Sequence, residues 1–469
     1  MSRNESSVQS AYVAEAATDV AHVRWGCGVP ALTPRWFTPR DVTDYLFLFA
    51  LFTLPVDGTV LGVYQPFWTP ISPWLFALYA LCNPRPLRRA AHRYAPFMVL
   101  PVVLVYLSAP GWAAFGFHPN AVLMSLSGVI AVPLTIAALE IALVYKQLDW
   151  RWMIRTILAA YWFAFAVGVF QWLAIRLDLS DVEGYFGHLM YRSYLTPDSP
   201  WAGSGLRPQF LFAEPSYIGM HLFGVLLPLS WMMRDRDSVY RKQLEWLIVV
   251  FAAGSVVMGA GTRIVLDCLV ALAVIIVIHN RWHDAAQRRR GIWQLLGTFA
   301  ATVVCFIANS RLSAIINDGA EGDGSFFARI YQSLGPLCGL VERPWTLLTG
   351  FGAGNINAAT QIGSNMATWL LGVTGTSADN MNAASGWYQS MNPDTIWTMS
   401  VYTSFITEYG AIGLVQFLII ALRFITSQHM WTKRTVCWLV LVVYLYIQFE
   451  GYCLVAIPLL IWALTHEHQ

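Results

Sequence analysis

Charge is what this chain most lacks. Only 12% of its 469 residues are Asp, Glu, Lys or Arg, against about 25% in a soluble domain. Paired cysteines are missing too. The seven cysteines, at 27, 82, 268, 305, 338, 437 and 453, are scattered without a CxxC and fall mostly in apolar runs. They read as small buried hydrophobes, not as a disulfide framework or a metal site. There is no phosphate-binding glycine loop, no Asp-rich metal motif and no nucleotide-binding pattern, so no cofactor, no metal and no nucleic-acid partner is expected. Residues 1–23 are polar and Ala-rich with no apolar run. The expectation is no cleavable signal peptide and a tail that is disordered or lies on the cytoplasmic surface.

What is present is apolar surface: 57% hydrophobic residues, 14% aromatic, and a mean hydropathy of +0.51. A membrane crossing needs roughly 20 apolar residues. Candidate spans are 42–63, 67–82, 95–112, 121–145, 156–176, 216–233, 244–260, 264–280, 292–309 and 399–422. The run 436–465 is broken by Glu450-Gly451 and reads as two short spans, 436–449 and 452–465. The fold class is therefore all-α, a polytopic integral membrane protein with about twelve transmembrane helices. The expected organisation is a cytoplasmic tail 1–41, a membrane domain 42–465 and a cytoplasmic end 466–469.

Basic residues orient such a chain. With the N-terminus inside, 22 of the 29 Lys and Arg fall on inner segments. The outer seven are all arginines: Arg176, Arg192, Arg207, Arg263, Arg311, Arg329 and Arg343. Two outer loops stand out by length, 177–215 and 310–398. A loop of roughly 90 residues is far beyond an ordinary connection and is usually functional. Within it, 311–318 and 326–342 read as amphipathic helices, the second with Phe326, Phe327, Ile330, Leu334 and Leu337 on one face. Residues 360–395, rich in Ser, Asn, Thr, Met and Trp, read as a mobile lid or a sugar-contacting surface.

The stretch Arg207-Pro-Gln-Phe-Leu-Phe-Ala-Glu214-Pro215-Ser216 carries the most charge at a span entrance. Pro215 suits a first helical turn, and Glu214 suits the positive end of a helix. The stretch is either a capping cluster or an anion or sugar site. Thr262-Arg263 opens a later span, and Asp267, one turn on, is placed to orient Arg263. Arg329 lies on the apolar-faced helix of the long loop. Glu408, inside the span 399–422, is set either to pair with an outer arginine or to act chemically. His221, Glu140 and Glu450 default to interior hydrogen bonding, and Arg311 and Arg343 have no distinctive setting. Guanidinium is the side chain best suited to phosphate. Outer arginines at span ends therefore point to an anion arriving from the outer leaflet, such as a lipid-linked (pyro)phosphate.

The pattern Arg207-x6-Glu214-Pro-Ser-x2-Gly219 at a span start resembles the O-antigen polymerase (Wzy-type) family, within the O-antigen polymerase/ligase superfamily. So do Thr262-Arg263, the long loop carrying Arg329 and then Gly350-Phe-Gly352-Ala-Gly354-Asn355, and the closing Glu408-x-Gly410-x2-Gly413. The resemblance covers about 205–415. Ligases of the superfamily usually place a histidine shortly before the Glu-x-Gly span, where this chain has Thr395-Ile-Trp397-Thr-Met-Ser. That difference, with Glu-Pro-Ser, favours polymerase.

The resemblance implies a metal-independent glycosyltransferase of the GT-C type with no cofactor, at the periplasmic face of the bacterial inner membrane. It would move a growing glycan from undecaprenyl pyrophosphate to a lipid-linked repeat unit, in O-antigen or exopolysaccharide synthesis. The catalytic residues it implies are Arg207, Arg263 and Arg329 on pyrophosphate, with Glu214 as base or arginine orienter. The substrate-binding residues would be Ser216, Glu408, Gly352, Gly354, Asn355 and Tyr331. Partners would be the lipid-linked oligosaccharide, membrane lipids, and a chain-length regulator and flippase of the same pathway. The alternatives are a ligase acting on lipid A core, within lipopolysaccharide biosynthesis, and a flippase for the same lipid-linked glycan.

Overall fold

The computed structural model describes residues 39, 41–61, 71–199, 205–234, 237–308, 310–393, 398, 400–447 and 456–466. The N-terminal tail, Glu450-Gly451 and Thr395 to Trp397 lie outside them. Helices account for nearly all of the regular structure. Among the described residues β-type pairing is confined to an isolated bridge between Thr59 and Met190. The all-α expectation is met.

Helix starts follow local capping chemistry. Asp41 caps Val42–Phe52, Asp149 caps Trp150–Leu177, Asp237 caps Ser238–Val257, Asp323 caps Gly324–Glu342 and Thr432 caps Lys433–Tyr446. Among the described residues, four helices are long and apolar enough to cross a membrane: Ala95–Phe115, Pro119–Tyr145, Trp150–Leu177 and Val401–Ser427. Val42–Phe52, Ile71–Cys82 and Ala456–His466 are apolar but shorter. At 216–233 the expected span is helical but broken into short pieces. Pro215 opens a 3₁₀ turn at Pro215–Tyr217, a π-helical stretch runs Met220–Leu226, and an α-helix, Leu227–Met232, follows with Pro228 near its start. Proline has no N–H to donate, and π-bulges are frequent at functional sites.

This broken segment is part of the largest apolar core among the described residues. Every residue from Met220 to Leu226 is buried. Around it pack Tyr161, Phe210, Phe212, Phe251, Leu445 and Ala456 as parts of one apolar core. Two short helices, Lys433–Tyr446 and Ala456–His466, flank 448–455, so the run from 436 is helical on both sides of residues that lie outside the described ones.

The segment 310–393 is helical too. Ser310–Asp318 and Gly324–Glu342 match the two expected amphipathic helices. The stretch read as a lid or sugar-contacting surface folds largely as the helices Ile356–Val373 and Ala378–Gln389. Small residues explain the packing. A side chain at Gly363 would run into the backbone at Gly335 and Gly339, so these helices cross at backbone contact, as small-xxx-small pairs allow. Tyr388 then closes the bundle, donating its hydroxyl to the Tyr331 carbonyl at 2.9 Å.

Candidate functional site

Glu214 sits at the entrance to the buried segment, itself buried. Its Oε1 accepts from Arg192 Nη1 at 2.8 Å, and its Oε2 accepts from Ser216 Oγ, also at 2.8 Å. Arg192 is buried as well. Charge-assisted hydrogen bonds of this length are the strong ones. Gln209 joins the two halves of this corner. Its amide nitrogen donates to the carbonyls of Arg192 and Phe212, and its oxygen accepts the Tyr194 N–H. Arg207 belongs to the same corner: its N–H donates to the Tyr194 carbonyl, and its guanidinium lies 4.8 Å from the centre of the Tyr194 ring, a cation–π distance. Arg192 thus forms an ion pair with Glu214.

A second arginine comes in from Arg263–His279. Arg263 Nε lies 3.5 Å from Asp267 Oδ2, one turn on, and its Nη2 donates to the Leu445 carbonyl at 3.0 Å. Tyr444 donates its hydroxyl to the other Asp267 oxygen at 2.9 Å. The expected orientation of Arg263 by Asp267 is observed, and it is anchored on a helix far along the chain. Gly219 makes room for it: a Cβ there would occupy the place of the Asp267 carboxylate. The Gly219 of the Glu-Pro-Ser-x2-Gly pattern thus lets the two segments meet.

Arg329 completes the group from Gly324–Glu342. Burial presses its guanidinium below the ordinary arginine pKa, Glu214 works against that, and the like charge of Arg263 adds to it. Glu214 and Arg263, from two other stretches of sequence, therefore both act on Arg329. Nη1 of Arg329 donates to the Ser325 carbonyl at 2.9 Å. Its Nε is buried with no hydrogen-bond partner among the described residues. A desolvated donor of this kind costs about 1–3 kcal/mol until something accepts from it.

His221, expected as an interior hydrogen-bonding residue, joins a buried hydrogen-bonded chain. His221 Nε2 is 3.2 Å from Asp57 Oδ2, and its Nδ1 is 2.8 Å from the Tyr161 hydroxyl. Asp57 also accepts the Ala213 N–H at 3.3 Å, next to Glu214. No periodicity marks this contact, because Asp57 and His221 are 164 positions apart.

The other predicted binding residues are built into a different place. Glu408 is fully buried. Its Oε1 accepts from Ser125 Oγ and from the Gly354 N–H, and its carbonyl accepts the Gly352 N–H at 2.9 Å. Gly410 takes a φ of 66° and breaks the helical backbone there, so that loop and helix touch. Asn355 is also buried, donating to the carbonyls of Gly116 and Phe351. Glu408, Gly352, Gly354 and Asn355 thus lock the loop onto Ala95–Phe115 and Pro119–Glu140. Tyr331 lies in an aromatic cluster with Phe327, Trp387 and Tyr388. Glu140 does form the expected packing network, accepting from Arg93, Tyr94 and Trp462 and lying 2.8 Å from His466 Nε2.

The arrangement can hold an anion. The Arg329 guanidinium lies within electrostatic reach of Glu214 and of Arg263, Arg192 engages Glu214, and Asp267 engages Arg263. Among the described residues no group of three or more His, Cys, Asp or Glu is placed to hold a metal ion. No protein-family model matches this chain, and no curated protein matches it.

Proposed function

We propose that the chain is a polysaccharide polymerase of the inner membrane. In this reading it crosses the bilayer about twelve times in a GT-C-like arrangement, with 177–215 and 310–398 in the periplasm. It transfers a growing glycan from undecaprenyl pyrophosphate to a lipid-linked repeat unit. The observation that supports the reading is that Arg329, with a buried Nε that has no hydrogen-bond partner among the described residues, lies within electrostatic reach of Glu214 and Arg263. Two desolvated guanidinium groups repel each other, and a pyrophosphate between them relieves that repulsion while filling the open donor of Arg329.

The chemistry follows from the leaving group. The glycosidic C–O bond to pyrophosphate breaks, and the acceptor hydroxyl forms the new bond. Negative charge grows on the departing phosphate oxygen, where Arg263 and Arg329 act as preorganised stabilisers. The acceptor proton needs a base. Glu214 stands beside the arginines and is held in place by Arg192 and Ser216, which suits it to that role. Arg207, stacked on Tyr194, flanks the same corner as a further contact for the lipid-linked phosphates.

Lipid-linked glycan from cells lacking the chain tests the reading. A polymerase predicts accumulation of a single repeat unit on the carrier. Long chains that stay on the carrier and fail to reach the outer-membrane acceptor would instead indicate a ligase. Trapping of the repeat unit on the cytoplasmic side would indicate a flippase.

A further inference from the structure

Glu214 is held through its backbone as well as through its carboxylate. The loop that leads into it, 209–213, contains an unusual conformation. Phe210 has a φ of 60°, in the left-handed region that residues with a side chain rarely adopt. Gln171, on Trp150–Leu177 and fully buried, holds that turn. Its Oε1 accepts the N–H of Gln209 at 3.1 Å and the N–H of Phe210 at 2.8 Å, and its Nε2 donates to the Phe210 carbonyl at 2.7 Å. One side-chain amide thus satisfies three buried backbone groups, which an apolar side chain cannot do.

The same helix receives the ring. Gly168, three residues before Gln171, leaves the space that the Phe210 ring fills, since a Cβ there would overlap it. The ring then packs against Phe165, Phe212 and Phe251. The rest of the loop is gripped from another part of the chain. Gly58 donates its N–H to the Leu211 carbonyl at 2.9 Å, and Asp57 accepts the Ala213 N–H. From Gln209 the hold passes to the ion pair, because its Nε2 donates to the Arg192 carbonyl at 2.8 Å. Gln171 therefore reaches the Arg192–Glu214 pair along two routes, through the Gln209 side chain and through the 210–213 backbone.

We infer that Gln171 is a positioning residue for glycan transfer: it fixes the 209–213 loop so that Glu214 is presented to the acceptor hydroxyl. The inference rests on Glu214 being the base, as proposed above. Gln171 acts through that carboxylate and not on the substrate. Displacing a catalytic group by about 1 Å can cost about a hundredfold in rate. The arginines are anchored elsewhere, Arg263 by Asp267 and the Leu445 carbonyl, Arg329 by the Ser325 carbonyl. Loss of the Gln171 amide should therefore slow the chemistry and leave pyrophosphate binding in place.

The test uses the full-length protein in nanodiscs, with lipid-linked glycan extracted from cells lacking the chain as donor and acceptor. Gln171→Leu removes all three hydrogen bonds at nearly constant size. It is expected to lower kcat about tenfold or more, while undecaprenyl pyrophosphate binds within about twofold of the parent. A merely structural defect would weaken both together. Gln171→Met, unbranched and equally apolar, is read in the same way, in case Gln171→Leu does not insert. Glu214→Gln separates the inference from the reading beneath it. Parental transfer by Glu214→Gln would overturn the base assignment, and the inference with it. Parental kcat in the Gln171 variants, with Glu214→Gln inactive, would overturn the inference alone. So would equal losses of kcat and of pyrophosphate binding in the Gln171 variants.

Discussion

Arg192 donates to Glu214 at 2.8 Å, and both side chains are buried. This pair closes the corner from which the continuously buried segment Met220–Leu226 departs. Removing one member of a buried pair leaves an uncompensated charge and costs about 3–5 kcal/mol. Arg192→Ala is therefore expected to lower the thermal unfolding temperature of the detergent-solubilised protein clearly. Arg192→Lys keeps the charge and should recover part of that loss. An Arg192→Ala protein as stable as the parent would show that the pair carries no weight.

Gly219 and Asp267 give a sharper case, because the change is one methyl group. A Cβ at Gly219 meets the Asp267 carboxylate, which in turn holds Arg263. Gly219→Ala should displace Arg263 and reduce glycan transfer at least tenfold. Overpacking of this kind costs about 1–3 kcal/mol, so the protein should still be found in the membrane fraction. Undiminished transfer by Gly219→Ala would separate Asp267 from the site.

The long insertion depends on the crossing at Gly363. Gly363→Leu should part Ile356–Val373 from Gly324–Glu342, because the new side chain meets backbone that cannot turn away. Limited proteolysis in the 320–390 region is expected to become faster, and transfer to fall with it, since Arg329 rides on the second of these helices. Unchanged proteolysis would mean that the helices are held by other contacts.

Acid should weaken the Asp41 corner. Burial works against the charged form of Asp41, but the hydrogen bond from Lys146, with help from Thr43 and the Asp44 amide, holds its pKa down at about 2. A carboxylate lowered in the folded state stabilises the protein above its unfolded value, near 3.9, and loses that contribution as pH falls through the folded value. The stabilising effect of Asp41 should therefore be full above about pH 4 and fade between about pH 4 and pH 2. Asp41→Asn should lower the unfolding temperature at pH 6 and make no difference near pH 2. An equal difference at both pH values would contradict the assignment.

Much of the architecture is legible in local pattern, and much of the site is not. Hydropathy identifies an all-helical chain with membrane-length helices, and the Phe326 to Leu337 face locates the insertion helix. The Arg263–Asp267 pair follows from a four-residue spacing. Glu214 with Arg192 does not, because their loop has no period and is closed by Gln209. The Glu408 lock reaches Ser125 across 283 positions, and the Asp57–His221–Tyr161 relay is equally remote. Continuous hydrophobicity conceals the π-helical break at Met220–Leu226, since backbone register leaves no mark on composition. The polar helices Ile356–Val373 and Ala378–Gln389 look like loop because their small residues serve close packing.

Binding of undecaprenyl pyrophosphate tests the central claim most directly, because it needs neither the acceptor nor turnover. The measurement compares parent, Arg263→Ala, Arg329→Ala and the double variant in nanodiscs, each checked for an unchanged elution profile. Each single variant is expected to bind at least tenfold more weakly, consistent with losing a charge-assisted contact. The double variant should lose the preference for undecaprenyl pyrophosphate over undecaprenol. Folded variants that bind the pyrophosphate as tightly as the parent would contradict the account.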